Sequence, residues 1–349
     1  MSCIEGAEAQ NTRARTVLST RGFAIVPSGF YVKTVFDERT GQDSTGALFF
    51  SADGESVTHK ISLRSASFAG VGEFLSGSVA RDTSLRPINI RIQKLDIREA
   101  ISADGEISGE INLAFSFDLD KGDWTVPLTR YQAAAKYKRS VANLAIVEPT
   151  LLNLLANSVK FIDNWLAREA SSDPNLAKKV KLSFHNYLEQ HDDTVYYDAG
   201  RPLVWDDFRE ARRDHNFAAA VFPSFGYDQR AEVKDGVIHV ELDVKVFMVK
   251  SASWAAPGAQ NAYNLNHEQR HFDLVKLVAD RFKKKLLSEK LSPENYQGVI
   301  NFEYLEFYRE MNKIQKDYDE QTSHGKSQSQ QDIWNRRIDL ELKQLSADN

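Results

Sequence analysis

Hydrophobic and polar residues alternate along most of the stretch from about residue 16 to residue 126. A period of two is that of a β-strand with one buried face. The clearest alternation is carried by Ile88, Ile90 and Ile92 and then by Ile107, Ile111, Leu113, Phe115, Phe117 and Leu119. The pattern therefore predicts a β-rich N-terminal half.

A helical period replaces the alternation near Pro149. Apolar residues then recur at three- and four-residue steps, at Leu151, Leu152, Leu155, Val159, Ile162 and Leu166. The segment 171–174 ends this helix, and Pro174 is suited to open a short second one. We find no acid–base pair, phosphate loop or nucleophile cluster in this half. Residues 16–187 are therefore interpreted as an accessory domain, a sheet with one or two helices.

The segment from residue 188 onward has a different order of elements. Strands are predicted at 195–198 and 203–205, followed by an antiparallel pair at 218–227 and 237–248. Three helices are predicted at about 262–287, 293–319 and 330–345. The fold class is therefore expected to be α+β. A flexible tether at 1–15 and the β-rich domain at 16–187 precede a domain at 188–349 with a small antiparallel sheet and three C-terminal helices.

Composition narrows the function only slightly. The chain has 349 residues, a formal net charge of −5 and one cysteine, Cys3. A negative net charge gives no reason to expect a nucleic-acid partner. No apolar run approaches the ~20 residues of a transmembrane helix, and one cysteine cannot form an intrachain disulfide.

The most informative motif is the pentad His267-Glu268-Gln269-Arg270-His271 inside the first of the three predicted C-terminal helices. Two histidines four residues apart lie on one helix face, so their imidazoles can converge on one metal ion. Glu268, between them, can reach a metal-bound water. This combination is typical of zinc-dependent hydrolases.

A hydrolytic zinc site needs a third protein ligand from elsewhere in the chain. Asp273 lies about 200° around the helix from His271, at ~100° per residue, so it is expected to point away. Two sources remain open. One is the next predicted helix, with Glu303, Glu306 and Glu310; the other is the segment 319–325 at its end, with Asp319 and His324.

Several separated motifs resemble one known family. They are Leu265-Asn266-His267-Glu268-Gln269 with His271-Phe272-Asp273, Tyr318-Asp319 with Thr322 and His324-Gly325, the upstream segment Leu203 to Phe208, and Gln331 with Trp334. In this order they resemble the bacterial secreted zinc-dependent protease family catalogued as domain of unknown function 922. The resemblance covers roughly residues 195–345. Arg270 departs from the glycine common in that family, at a position between the ligands.

The resemblance implies a zincin-like metallopeptidase domain that holds Zn²⁺. Carried over by position, His267 and His271 are metal ligands, His324 is the favoured third ligand and Glu268 is the general base. Glu268 would take a proton from zinc-bound water and return it to the leaving amine of a peptide or protein substrate. In an alternative, His324 donates a hydrogen bond to the transition state, and Asp319 or a glutamate completes the metal shell.

The N-terminus suggests a location. A cysteine at position 3, at the start of a polar segment, is what a processed bacterial lipoprotein shows, although no signal peptide precedes it. A cytosolic N-terminus is the alternative. The family resemblance favours an extracytoplasmic protein, with a lipid anchor at Cys3 as one form of attachment.

Three functions follow from these observations. The first is a zinc endopeptidase. The second is a zinc-dependent amidase or other hydrolase that acts on cell-wall or small substrates with the same site. The third is a non-catalytic zinc-binding protein, against which the presence of Glu268 argues. The sequence leaves the oligomeric state open.

Overall fold

The computed structural model describes residues 29–39, 46–52, 55–61, 67–187, 191–211 and 217–347. The chain divides into two compact units, Met1–Glu169 and Ala170–Asn349. The predicted tether at 1–15, with Cys3, lies outside the described residues. Within the described part, no helix is long and apolar enough to cross a membrane.

In its described residues, the first unit contains a six-stranded sheet and two helices. Its elements are β1 (Phe30–Asp37), β2 (Gly46–Ala52), β3 (Glu55–Ile61), α1 (Ser67–Gly77), β4 (Arg86–Ile101), β5 (Ile107–Asp120), β6 (Thr125–Arg139) and α2 (Val147–Glu169). The strand order is β3-β2-β4-β5-β6, and β1 also pairs with β4. The long strand β4 holds β1 in parallel along its first half and β2 in parallel near its end.

The alternating pattern matches the buried face of this sheet. Ile88, Ile90 and Ile92 on β4 are fully buried. The apolar face of α2 is also buried, and the Phe161 ring on α2 packs against Phe117 of β5 and Tyr131 of β6. Helix α1 lies inside the stretch that the sequence predicts as strands. Its buried residues Val71, Phe74 and Leu75 do recur at helical steps, but the period is too short to stand out from the surrounding alternation.

The second unit contains two small sheets and three long helices. Its elements are β7 (Lys179–Asn186), β8 (Thr194–Tyr196), β9 (Ala219–Ala220), β10 (Pro223–Lys234), β11 (Val237–Val249), β12 (Trp254–Ala255), α3 (Ala262–Ser288), α4 (Tyr296–Thr322) and α5 (Gln328–Ala347). The α+β class, the β-rich N-terminal region and the three C-terminal helices agree with the sequence-based prediction.

The larger sheet of this unit is mixed. Strands β10 and β11 form an antiparallel hairpin, β7 pairs with β11 in parallel, and β8 pairs with its end. The hairpin turns through Asp235 and Gly236, both with positive φ (53° and 72°), as a type I′ turn requires. Because β7 belongs to this sheet, the division between the units comes earlier than the boundary after residue 187 that the sequence predicts.

Helix α3 packs against the sheet and against both other helices. The buried face of β11 carries Ile238, Val240, Leu242, Val244, Val246 and Met248. These residues share one core with Phe272, Val275 and Phe282 of α3. Helices α4 and α5 also pack on α3. The helix that carries the pentad is therefore surrounded by packed elements, which restrains its side chains.

A buried ionic network joins three strands of the first unit. Arg139 on β6 donates to both carboxylate oxygens of Glu99 on β4, at 2.7 and 2.6 Å, and neither side chain is exposed. The Tyr137 hydroxyl donates to the same carboxylate at 2.6 Å. The backbone of Phe49 on β2 donates to Glu99 and accepts from Arg139. Burial acts to raise the pKa of Glu99, but these hydrogen bonds outweigh it and lower that pKa.

Removal of one partner from this network should destabilise the first unit strongly. We expect Arg139→Met to cost about 3–5 kcal/mol, because it leaves the Glu99 carboxylate buried without its cation. The measurement is the urea unfolding transition of the full chain. Lys138→Met is the matched control, since Lys138 and its partner Glu106 are exposed. Equal losses in the two variants would contradict the role of the network.

Candidate metal centre

Helix α3 presents the pentad from its second turn. Gly258, with φ 80°, precedes the helix, and the Asn261 side chain caps it by accepting from the backbone N–H of Asn264 at 2.9 Å. His267 and His271 follow one turn apart, 6% and 8% exposed. Their ring centroids are 4.9 Å apart. The helical spacing therefore brings both imidazoles to one place, as the sequence predicts.

Asp319, in the last turn of α4, brings a carboxylate to the same place. Its Oδ1 atom lies 3.3 Å from Nε2 of His267 and 3.1 Å from Nε2 of His271. One ligand atom from each of the three residues lies within 4.8 Å of the others. Two imidazole nitrogens and one carboxylate oxygen form a donor set that could hold a metal ion.

Helix α4, which carries Asp319, is followed directly by a turn in the left-handed backbone conformation. Ser323, His324 and Gly325 all have positive φ, at 52°, 51° and 74°. The His324 N–H donates to the Asp319 carbonyl at 2.8 Å, which closes the end of α4. Gly325 lies against the His267 ring, so a Cβ there would be 3.2 Å from Cγ of His267. This close approach explains why a glycine suits the position.

The charges within the group compensate each other. Burial acts to lower the pKa of His271, but its hydrogen bond to Asp319 and the nearby negative charges raise that pKa overall. Burial acts to raise the pKa of Asp319, yet the hydrogen bonds from both imidazoles hold that pKa well below its usual range. A bound metal ion would replace a proton as the positive charge beside Asp319.

Glu268 is buried against a short strand pair. It is 4% exposed, and its Oε2 accepts from the backbone N–H of Val221 at 2.9 Å. Val221 follows β9, which pairs with β12. Burial raises the pKa of Glu268 above its usual value, as suits a general base near neutral pH.

His324 lies beside the three-residue group rather than within it. Its Nδ1 is 3.5 Å from Oδ1 of Asp319, and its side chain is 45% exposed. The ring also packs against Phe217, with centroids 4.6 Å apart. His324 is thus a partly exposed neighbour of Asp319, and among the candidate third ligands Asp319 is the one that reaches Nε2 of both pentad histidines.

The other candidates from the sequence lie elsewhere. Glu303 is 3.9 Å from Lys285, Glu310 is 2.5 Å from Arg281, and Glu306 pairs with Arg309. Asp273 points away from the group, as predicted from its position on α3. It is buried, and it accepts from Tyr197, Gln269 and Arg270.

The upstream motif Leu203 to Phe208 is tied to the pentad helix. The backbone N–H of Leu203 donates to Oε1 of Gln269 at 2.8 Å. Arg201 donates to both carboxylate oxygens of the buried Asp207, at 2.8 and 2.7 Å. This bidentate ion pair fixes the conformation of the loop, and the hydrogen bond from Leu203 to Gln269 joins the loop to α3.

Two glutamines contact the histidines: Gln331, which belongs to the motifs of the family resemblance but had no predicted role, and Gln315, which was not predicted at all. Nδ1 of His267 lies 2.9 Å from Oε1 of Gln331, and Nδ1 of His271 lies 2.5 Å from Oε1 of Gln315. Gln315 precedes Asp319 by one helical turn, so helical spacing could have indicated it once Asp319 was placed at the site. Gln331 is fully buried on α5, and no local spacing connects it to α3.

Tyr318 is fully buried beneath the two histidines. Its ring stacks on His267 at a centroid distance of 4.8 Å. Its hydroxyl is engaged by Gln331 and by the carbonyl of His267. Tyr318 therefore packs under the histidines and supports them.

Comparisons with known proteins add little. No family model matches the sequence, and neither does any curated protein. A crystal structure of a Xanthomonas campestris protein assigned to DUF330 is 12% identical, covering 41% of this chain and 85% of that one, with a TM-score of 0.24. A crystal structure of an uncharacterized protein is 13% identical, covering 40% and 90%, with a TM-score of 0.17. At such TM-scores neither bears on the site, and the zinc-protease resemblance stays a prediction.

Metal content should distinguish the two candidates for the third ligand. We expect protein purified without added metal to carry one metal ion per chain, as measured by inductively coupled plasma mass spectrometry. Asp319→Ala should lose it, because that carboxylate faces both Nε2 atoms, and His324→Ala should keep it. Glu320→Ala, at an exposed neighbouring position, is the control. Loss in His324→Ala with retention in Asp319→Ala would restore His324 as the ligand.

Proposed function

We propose that this chain is a zinc-dependent metallopeptidase whose second unit carries the active site. One observation carries the proposal. Glu268, which stands between His267 and His271 in the sequence, is buried, and the Nε2 atoms of both histidines converge on the Asp319 carboxylate. The packing of a sheet over the pentad helix also supports a zincin-like domain. The resemblance to the zinc-dependent protease family supports the same assignment.

The residues fit a hydrolytic zinc site. His267, His271 and Asp319 supply three ligands, the number that catalytic zinc sites use while they leave a position open. When bound there, Zn²⁺ would act as a Lewis acid that lowers the pKa of water to about 7. His324, which is partly exposed beside Asp319, is taken to mark the open side of the group.

Glu268 is assigned the proton transfers. Its Oε2 is held by the Val221 N–H at 2.9 Å, which orients the carboxylate and leaves Oε1 to accept a proton from the attacking water. Because burial raises its pKa, the carboxylic acid that forms is a weaker acid than an exposed one and can hold the proton until the leaving amine takes it.

His324 is assigned a substrate-side role, the alternative that the sequence left open. Its partly exposed imidazole, beside Asp319, can donate a hydrogen bond to the carbonyl oxygen as negative charge develops there. Its left-handed backbone holds the ring at the rim of the site. If His324 instead completed the metal shell as a fourth protein ligand, the centre would be closed and structural.

A zinc-dependent amidase on cell-wall or small substrates is the second candidate function. It would use the same three ligands and the same base, so the arrangement of Glu268 supports it equally. An extracytoplasmic location, with a lipid anchor at Cys3, belongs to the same proposal and is supported by the sequence alone. The substrate assay must therefore include both unstructured polypeptide and peptidoglycan fragments.

Replacement of the base should separate chemistry from metal binding. We expect Glu268→Gln to keep its zinc and to lose about 10²–10⁴-fold in hydrolytic rate, because the amide cannot accept the proton. The measurements are cleavage of a mixed polypeptide substrate and zinc per chain. Glu306→Gln, on the surface of α4, is the control and should match the wild type. Full activity in Glu268→Gln would refute this mechanism.

A further inference from the structure

Each imidazole of the metal-binding group is held on its far side by a glutamine oxygen. Oε1 of Gln331 lies 2.9 Å from Nδ1 of His267, and Oε1 of Gln315 lies 2.5 Å from Nδ1 of His271. A neutral imidazole, the form that binds metal, has one donor and one acceptor nitrogen. An amide oxygen only accepts, so Nδ1 must carry the proton. In that neutral form the lone pair is on Nε2, where a metal ion would take the place of the proton that otherwise forms the hydrogen bond to Asp319.

The orientation of the Gln331 amide follows from its neighbours. Nε of Arg270 lies 3.1 Å from the side chain of Asn335, and a guanidinium only donates, so the Asn335 atom that faces it is Oδ1. The same oxygen lies 3.1 Å from Nε2 of Gln331, which must donate to it. The oxygen of Gln331 is therefore turned towards His267.

Tyr318 reinforces this orientation. Its hydroxyl lies 3.4 Å from the carbonyl oxygen of His267, to which it donates, so it accepts from Nε2 of Gln331. Gln331 is fully buried, and water therefore does not compete for its amide. Arg270 is itself fixed by Asp273 at 2.9 Å and by Asp339 at 2.7 Å. Each donor and acceptor in the chain from Arg270 to His267 has one consistent assignment.

We propose that Arg270, Asn335 and Gln331 form a relay that fixes the tautomer of His267, and that Gln315 does the same for His271. Both glutamines are positioning residues that turn the Nε2 lone pairs towards the metal. The inference deepens the proposed function and rests on it, since the metal gives these lone pairs their use. It also assigns a role to Arg270 inside the pentad, because a glycine has no side chain to donate the hydrogen bond to Asn335.

Zinc affinity of the full chain, measured by chelator competition at one fixed pH, tests the relay. Partners behind a ligand histidine typically change metal affinity by about 10–100-fold. We expect that loss in Gln331→Met and in Gln315→Met, which keep the side-chain length and remove the acceptor. Gln321→Met is the matched control, because its amide accepts from the Trp334 indole at 3.1 Å and touches neither imidazole. The control should bind zinc as tightly as the wild type.

A pair of Asn335 variants separates the relay from general packing. Asn335→Asp still offers an oxygen to Arg270 and to Gln331, so zinc affinity should be retained. Asn335→Leu removes that oxygen and lets the Gln331 amide rotate, so affinity should fall. A purely structural role for the position would not produce this rescue by aspartate.

The outcomes distinguish the two proposals. A wild-type chain that binds no zinc would refute the proposed function itself. A wild-type chain that binds zinc, with Gln331→Met and Gln315→Met binding it equally well, would overturn the relay and leave the function standing. If circular dichroism shows Gln331→Met to be unfolded, the half-buried Gln315→Met decides. Equal zinc affinity in Asn335→Leu and Asn335→Asp would overturn the part played by Arg270.

Discussion

The burial of three ionisable side chains on one face of α3 is the constraint on which the second unit depends. His267, Glu268 and His271 are 6%, 4% and 8% exposed, inside a predominantly apolar core. A buried polar atom without a hydrogen-bond partner costs roughly 1–3 kcal/mol in a neutral group and more in a charged one. Each of the three is hydrogen-bonded to a segment distant in sequence: the link between β9 and β10, helix α4 or helix α5. The fold and the candidate metal centre are therefore formed by the same contacts.

The turn after α4 makes these contacts geometrically feasible. Asp319 approaches His267 from one side, and Gln331, only twelve residues later, approaches the same ring from the other. A reversal this sharp uses three consecutive residues with positive φ, two of which are not glycine. Such backbone strain costs of order 1–3 kcal/mol per residue and persists only where the surroundings hold it. Here it holds Gly325 against His267 and His324 beside Asp319.

The two units use buried charge in different ways. In the first, Arg139 and Glu99 are satisfied by each other, by Tyr137 and by the backbone of Phe49, and they lie between strands, so the pair has no capacity left for a ligand. In the second, Asp319 is shared by two imidazoles and remains partly exposed, while Glu268 has one backbone donor. Side-chain oxygen and nitrogen atoms that the protein leaves partly without partners can bind a metal ion and a water molecule. That difference supports a functional assignment to the second unit.

The sequence by itself determined the α+β class, the strands around Ile88 and Ile107, the three C-terminal helices and the convergence of His267 with His271. These features depend on periods of two and 3.6 residues, which are local. It left the third ligand open among several residues of 303–324. Glu303, Glu306 and Glu310 share one face of α4 and Asp319 lies on another, so only the packing of α4 on α3 decides which face meets the histidines. The parallel pairing of β7 with β11 and the contact of Gln331 with His267 likewise join distant segments. Only the tertiary structure decided them, because no local period encodes a contact across sixty residues.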